Sequence, residues 1–455
     1  MNNPFKDVED VKMNKFHWKT VLIAGTGSFT DGYDLTSVAI VLGLIAKDFS
    51  FSVSSNQAAL LTSSALLGTI VGAFLFGYLV NMGRKKFYGF DALILAIGAA
   101  AQFFVQDYWQ LVAARFVLGI GVGADYVISP LIVAEYANRY DRGKLITFGW
   151  SVMWLIGAVT AGLSLLILRN FVSDSSTLWR LVLALGAVPA LLVVYFRRRF
   201  PETPYYVLRI RGDVEEYKRL MKELGKETTS GDRSELLALV DGRPLVVLFK
   251  RYYMPLVIVS AMFFIYGVIS YVNILFGPTV LAKQIGITDP AVYQVAMNLA
   301  FAIPGSFLNF ALVDRVGRKV LLVAGFALMS IGIFAFLLAK GAGANAVTLF
   351  LIYGLIYTVA SQLPGATLRV SAAEVFPTKL RGPANGIGEG VNRFAAFSAS
   401  FIFVNLLNAY GFNFTMAVLG AITGAGAVLA LLLWETKLKG LEEASGERIA
   451  EREVV

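Results

Sequence analysis

Gly83-Arg84-Lys85-Lys86 follows the second apolar run of the chain and returns in the second half as Asp314-Arg315-Val316-Gly317-Arg318-Lys319. The distance from Arg84 to Arg318 is 234 residues. Self-similarity at a fixed offset is typical of proteins that contain an internal structural repeat. These two strings therefore indicate that the chain consists of two related halves.

A second pair of motifs repeats at nearly the same offset. The fourth apolar run ends at Glu135, with Arg142 after it, and the tenth ends at Glu374, with Arg381 after it. The glutamate precedes its arginine by seven residues in both copies, and the two glutamates are 239 residues apart. Two independent motifs at nearly one offset are hard to obtain by chance, so we expect equivalent roles for them in the two halves.

The composition indicates a polytopic membrane protein. Hydrophobic residues make up 57% of the 455 residues and charged residues 16%, whereas soluble domains are about 45–50% apolar and about 25% charged. This excludes a soluble enzyme, a disordered scaffold and a secreted disulfide domain. Twelve apolar runs are long enough to span a hydrocarbon core of about 30 Å. They fall at residues 20–46, 57–81, 87–106, 110–137, 145–168, 178–196, 254–278, 291–313, 320–340, 345–374, 384–408 and 412–434.

The cations of the short loops predict the orientation, because cytoplasmic loops carry an excess of Lys and Arg. Four alternate loops hold most of these cations: Arg84, Lys85, Lys86, Arg139, Arg142, Lys144, Arg315, Arg318, Lys319, Lys379 and Arg381. We therefore expect a plasma-membrane protein with these loops and both termini in the cytoplasm. The net charge of +9 follows from the same rule, so no nucleic-acid partner is expected.

The longest polar stretch, residues 197–250, divides the twelve spans six and six. Its middle, Val214 to Leu224, has the pattern of a short amphipathic helix that lies against the membrane or the inner helix ends. We expect an N-terminal six-helix bundle over residues 1–196, a central cytoplasmic loop with short amphipathic helices over 197–250, and a C-terminal six-helix bundle with a cytoplasmic tail over 251–455.

The chain resembles the major facilitator superfamily across essentially its whole length. The similarity is carried by the repeated loop strings and by Pro201-Glu202-Thr203-Pro204-Tyr205-Tyr206, Glu374-Val375-Phe376-Pro377 and Glu435-Thr436-Lys437. It extends to the branch that holds sugar porters, phosphate:proton symporters and organic-ion transporters. The resemblance implies an all-α fold of two pseudo-symmetric six-helix bundles, with substrate bound between them and moved by alternating access.

Two substrate classes remain open. Residues 119–126 in the fourth span and 31–34 in the first are similar to phosphate symporters at those places, but the seventh-span aspartate of those symporters is missing. Arg369 stands where sugar porters carry a tryptophan. We expect a secondary active transporter that couples a small anion, phosphate or an organic acid, to protons. A proton-coupled sugar transporter is the alternative.

Three aspartates are candidates for proton coupling, because charge inside a bilayer is rare and usually functional. Asp31 and Asp34 lie 11 and 14 residues into the first span, and Asp125 lies near the middle of the fourth. Carboxyl groups gathered at this depth can hold a proton near the working pH. We expect at least one of them to carry the proton, with Asp125 first. The alternative is that one of them neutralises Arg115 or caps a broken helix.

Arg369 and Arg393 are the corresponding charges of the second half. Fixed positive charges that face a central cavity would suit phosphate or a carboxylate, and Arg393 resembles an arginine that organic-anion carriers keep in this span. The alternative for Arg369 is an ion pair with Glu374 or Glu389 that holds the inner gate.

Two further sets of residues complete the candidate site. The polar and aromatic residues expected to line the cavity are Tyr126, Trp150, Trp154, Tyr266, Tyr271, Asn273 and Asn298. The residues expected to pair across the cytoplasmic face, and to separate when the carrier opens inward, are Arg84, Glu135, Arg142, Asp314, Arg315, Arg318, Glu374 and Arg381. A purely topogenic role is the alternative for the cations.

The remaining chemistry is sparse. The chain has no cysteine and one histidine, so neither a thiolate nucleophile nor a metal site is expected. It also lacks a P-loop string, so nucleotide is not expected to drive transport. We expect no cofactor and no enzymatic activity, with the solute, protons and the lipid bilayer as partners of a monomer. A membrane enzyme and a channel are the competing classes, and saturable counterflow would separate a carrier from a channel.

Overall fold

The computed structural model describes residues 5–53, 55–223 and 244–446, and the regular structure within these ranges is entirely helical. Ten of the described helices are long and apolar enough to cross a membrane. The last of them, Thr378–Ala430, is 53 residues long and is interrupted by non-helical Gly411, so it supplies two spans. The helix Phe90–Ala101 has 12 residues, fewer than the roughly 20 that cross a hydrocarbon core. It supplies the remaining span. The expected twelve-helix fold is confirmed.

We number the spans α1 to α12 in chain order. Their bounds are Lys15–Asp48, Asn56–Met82, Phe90–Ala101, Tyr108–Tyr136, Arg142–Leu168, Ser175–Arg198, Tyr253–Ile285, Pro290–Leu312, Arg318–Gly341, Ala346–Val375, 378–410 and 412–430.

Helices pack closely within each half through small residues. In the first half α2 packs most extensively on α4, and in the second half α7 packs on α11. Gly119 and Gly123 of α4 lie against the backbone of α2, and Gly121 lies against that of α3, so none of the three has room for a Cβ atom. Close backbone approach of this kind drives helix association where the surrounding lipid is as apolar as the side chains.

The two halves meet on both sides of a central cavity. On one side α2 packs on α11, where Gly77 lies against Gly386. On the other side α5 packs on α8, where Gly162 faces Val295. These glycine contacts bring the two halves together without filling the space between α4, α5, α7, α8 and α10.

Both described ends of the chain lie on one face, which we call the terminal face. Glu9, in the short helix Lys6–Glu9, accepts hydrogen bonds from the hydroxyl of Tyr205 at 2.7 Å and from the backbone N–H of Leu441 at 2.8 Å. The contact joins the N-terminal segment to the segment after α6 and to the helix Leu441–Ala444.

The region after α6 differs from expectation at its first residues. The sixth helix continues through Arg198, so Arg197 lies inside a span instead of a loop. The expected amphipathic segment is helical over Val214–Glu223. Leu224, the rest of the central loop to residue 243, and the tail from residue 447 lie outside the described residues.

Candidate functional site

A cavity with polar and aromatic walls lies between the two halves. Its wall includes eight of the nine residues predicted to bind substrate: Tyr126, Trp150, Trp154, Tyr266, Tyr271, Asn273, Asn298 and Arg369. The ninth, Arg393, is fully buried behind the wall, where its guanidinium lies over the rings of Tyr126 and Tyr271, 4.4 and 4.7 Å from their centroids. The predicted residues therefore gather around one space at the interface of the halves.

Further polar groups in the wall were not predicted. Tyr353 and Tyr357 stack on each other at 4.6 Å, and both hydroxyls are bonded to Asn273. Gln362 accepts hydrogen bonds from the hydroxyls of Ser151 and Ser306, at 3.2 Å each. The spacing of Tyr353 and Tyr357, four residues apart in the tenth span, puts both on one helix face and could have identified them from the sequence.

Asp31 lies beside the cavity as the centre of a hydrogen-bond cluster. Its Oδ2 accepts from the hydroxyl of Tyr126 at 2.5 Å and from Nε1 of Trp154 at 3.0 Å. Nη2 of Arg393 lies 3.7 Å from the same oxygen, and Nη1 of Arg393 donates to the hydroxyl of Tyr271. The carboxylate of α1 is thus tied to α4, α5 and α11, which belong to both halves.

Arg369 of α10 pairs with Glu389 of α11. Its Nε lies 2.8 Å from Oε1 of Glu389, and its Nη2 donates to Oε2 at 3.3 Å. The guanidinium also lies over the ring of Tyr126, 4.9 Å from its centroid. Of the two partners considered for Arg369, the structure therefore places Glu389 beside it, at the cavity wall.

Asp34 is bound to Arg115 instead of facing the cavity. Nη1 and Nη2 of Arg115 donate to the two carboxylate oxygens at 3.1 Å each, and the arginine also donates to the carbonyl of Leu61 and to Gln102. Both side chains of the pair are buried. This is the arrangement in which an aspartate neutralises Arg115, the alternative considered from the sequence.

Asp125 points into the first bundle, away from the cavity that neighbouring Tyr126 lines. Nη1 of Arg197 lies 2.6 Å from its Oδ1 and 2.5 Å from Oδ2 of Asp91. Ser129 also donates to Oδ1 at 2.6 Å, while Oδ2 has no hydrogen-bond partner among the described residues. Two carboxylates therefore share one arginine inside the protein, and the set carries one excess negative charge unless a proton is bound.

Glu135 joins both halves at the terminal face. Its Oε1 accepts from Arg84 at 3.0 Å and from Arg381 at 3.1 Å, and its Oε2 accepts from Thr203 at 2.5 Å. Arg84 also donates to the carbonyl of Thr378, in the second half, at 3.3 Å. All of these charged side chains are fully buried, so the ion pairs of Glu135 join the two halves at the terminal face.

Glu374 makes the matching contacts in the second half. It accepts from Arg318 at 2.8 and 3.0 Å, from Thr436 at 2.6 Å and, across the halves, from Arg142 at 3.4 Å. The related contacts of Glu135 and Glu374, each with a threonine and with arginines of both halves, are what the internal repeat predicts.

Asp314 adds a third contact between the halves. It pairs with Arg318 at 3.0 Å and accepts from the backbone N–H groups of Gly143 and Lys144 at 3.1 and 2.8 Å. Burial raises the pKa of this carboxyl, and the nearby Arg318 acts in the opposite direction. Arg315, also predicted for this gate, has an exposed side chain. Its carbonyl accepts a hydrogen bond from Nζ of Lys437, and its backbone N–H donates to the carbonyl of Leu312.

Two helix bundles that enclose a polar cavity, and that are joined at one end by buried ion pairs, define a membrane carrier. The chain belongs to the family described as Sugar (and other) transporter, which it matches over residues 20–447. It is therefore a multi-pass transporter of the major facilitator superfamily, a family of transporters and not of enzymes.

The relatives of the chain include a phosphate transporter and a metabolite transport protein. It is 29% identical to a putative inorganic phosphate transporter 1-13 of Oryza sativa subsp. japonica, with 95% of this chain and 91% of the relative covered. It is 26% identical to the inner membrane metabolite transport protein YgcS of Escherichia coli, with 97% and 96% covered. A solved structure of the proton:xylose symporter XylE, bound to 6-bromo-6-deoxy-D-glucose, has the same fold, with a TM-score of 0.81, 23% identity and 95% and 98% of the two chains covered.

Proposed function

We propose that this transporter is a symporter that carries a small anion, phosphate or an organic acid, together with protons. The observation that carries the proposal is the position of Arg369 in the cavity wall, with Arg393 directly behind Tyr126 and Tyr271. Arginine suits carboxylate and phosphate because its planar guanidinium can donate two parallel hydrogen bonds to them. The names of the phosphate transporters among its relatives support the same class.

Proton coupling is proposed to use buried carboxyl groups of the first half. Asp125 shares Arg197 with Asp91, and its Oδ2 lacks a hydrogen-bond partner among the described residues. A buried, uncompensated charge is costly, so a proton on this pair is favoured. Asp31, which contacts both halves, is the second candidate, and Asp34 is the third because Arg115 already neutralises it.

Alternating access is proposed to break the ion pairs at the terminal face. Glu135 with Arg381, and Glu374 with Arg142, join the two halves when this end is closed. Because loops rich in Lys and Arg favour the cytoplasm, we assign the terminal face to the cytoplasmic side of the plasma membrane. The moving units are the bundles of residues 1–196 and 251–455, joined by the central loop, and the protein works as a monomer.

A proton-coupled sugar transporter is the second candidate, and the neutral groups of the cavity wall favour it. Amides and hydroxyls such as Asn273, Gln294, Gln362 and Tyr357, next to Trp154, are typical of sites that bind a polyol. The solved relative XylE, whose title names a proton:xylose symporter, has the same fold.

Uptake into proteoliposomes separates the two candidates. Radiolabelled phosphate, carboxylates and sugars are offered in parallel under an inside-alkaline pH gradient. Anion uptake that collapses with a protonophore and in Asp125→Asn supports the proposal. Sugar uptake without anion uptake refutes the anion assignment. Uptake that is the same without the pH gradient and in Asp125→Asn would show that the aspartates have a structural role.

A further inference from the structure

Glu389 is a buried carboxylate that none of the proposed transport steps uses. It lies in α11 with 2% of its surface exposed. Arg369 is its hydrogen-bond donor: Nη2 donates to Oε2 at 3.3 Å, and Nε lies 2.8 Å from Oε1. Oε1 has no hydrogen bond of good geometry among the described residues. The carboxylate therefore depends on a single arginine, which is also the arginine of the cavity wall.

The charged side chains around Arg369 and Arg393 have a net charge of zero when both carboxylates are ionised. The cations are Arg369 and Arg393, and the carboxylates are Asp31 and Glu389. The charged and titratable groups that face Glu389 from the surrounding helices are Arg369 of α10, Asp31 of α1, Tyr266 of α7 and Tyr126 of α4, with Arg393 one turn further along α11. An anion that enters this neutral cluster adds an uncompensated negative charge, which is costly in a buried site unless a proton accompanies it.

The hydrogen bonds decide which of the two carboxylates takes that proton. Asp31 accepts from Tyr126 and Trp154, and it stands 3.7 Å from Arg393. None of these contacts involves Arg369, so Asp31 keeps them when a substrate occupies that arginine. Among the described residues Glu389 has Arg369 as its single partner, so it becomes a buried charge without that partner as soon as an anion occupies the guanidinium.

We propose that Glu389 links proton binding to anion binding in this carrier, an inference that rests on the proposed transport of an anion. The entering anion takes Arg369 from Glu389, and the released carboxylate oxygen accepts one proton from the surrounding solution, supplied as hydronium or by a buffer acid that reaches the open cavity. The new O–H bond removes the excess charge, so anion and proton cross together. When the anion leaves on the other side, Arg369 returns to Glu389 and the proton is released there.

The test measures protons taken up on binding by the purified full-length protein. Inorganic phosphate, or lactate as an anion that does not titrate near neutral pH, is added in weakly buffered solution with a pH indicator. The wild-type protein takes up about one proton per bound anion, and its Kd rises about tenfold per pH unit where the free carboxyl is ionised. Glu389→Gln binds lactate without this uptake, with a Kd for lactate that no longer depends on pH and is lower than the wild-type value in alkaline solution.

Two further variants control the measurement. Glu389→Asp keeps a titratable carboxyl and restores proton uptake. Glu202→Gln removes a carboxyl that is 9% exposed and bonded to the backbone of Lys85 and Thr203, away from the cavity wall, and it keeps the wild-type uptake.

The outcomes separate this role from the proposed function. Wild-type proton uptake in Glu389→Gln overturns the role of Glu389 alone. Weaker binding at every pH with the wild-type pH dependence also overturns it, because Glu389 would then only position Arg369. A wild-type protein that binds neither anion, but binds a sugar, overturns the proposed function and this role with it.

Discussion

Replacement of Arg381 with alanine should open the terminal face. Nη1 of Arg381 donates to Glu135 across the two halves at 3.1 Å, while Arg84 and Thr203 hold Glu135 from the first half. Because Glu135 keeps those two partners, the loss is about that of one hydrogen bond to a charged group, about 1.5–3 kcal/mol. The loss falls on the closed state only. Since about 1.4 kcal/mol is a factor of ten in an equilibrium constant, the open population should rise about 10- to 150-fold.

The labelling rate of a single introduced thiol measures the population of the open state. No native thiol competes for the label, because the chain has no cysteine. Ser270→Cys places one thiol in the cavity wall, and a membrane-impermeant maleimide is added on the terminal side of oriented vesicles. Labelling should accelerate by the factor above in Arg381→Ala. Arg139→Ala is the control, because Arg139 pairs with Asp10 within the N-terminal half. Unchanged labelling in Arg381→Ala, or equal acceleration in the control, would refute a gate built on the Glu135–Arg381 contact.

Two other predictions concern the buried charges of the first bundle. Gly27→Ala should lower the thermal unfolding temperature, because the added Cβ would overlap the carboxylate of Asp125 and overpacking costs about 1–3 kcal/mol. Gly43→Ala is the control and should leave the unfolding temperature unchanged, because Gly43 has open space around it. Equal effects of the two substitutions would show that the contact with Asp125 is not the cause. Arg115→Met should cost about 3–5 kcal/mol, because it leaves buried Asp34 without its partner. Denaturant unfolding should show that Asp34→Asn restores most of this loss in the double variant, and an additive effect of the two changes would show that the pair is not coupled.

The sequence predicts much of the fold because two of its patterns depend on local chemistry. A span of about 20 apolar residues is recognisable wherever it lies, and the positions of all twelve helices follow from that length. The paired motifs at Glu135 and Glu374 place arginines at fixed distances along the chain. Helix ends that meet at one face then bring Arg84, Arg142, Arg318 and Arg381 to these glutamates, as the structure shows.

The orientation of charged side chains inside the spans is harder to predict. These helices are apolar on all sides, so no polar stripe marks which face is buried. Asp125 and Tyr126 are adjacent in sequence, yet only Tyr126 lines the cavity. Arg197 opens an arginine triplet typical of a cytoplasmic loop, but it turns inward to Asp91 and Asp125. Both arrangements depend on contacts between distant segments, which no local pattern records.

Proton movement driven by substrate is the direct measure of coupling between anion and proton in this carrier. Proteoliposomes with a pH-sensitive dye inside, and no imposed gradient, receive phosphate, a carboxylate or a sugar while uptake of the labelled solute is followed in the same sample. We expect an anion to acidify the lumen as it enters, at a fixed ratio of protons to anions, and we expect the acidification to be lost in Arg369→Gln. Anion entry without acidification, or acidification driven by a sugar alone, would contradict this coupling.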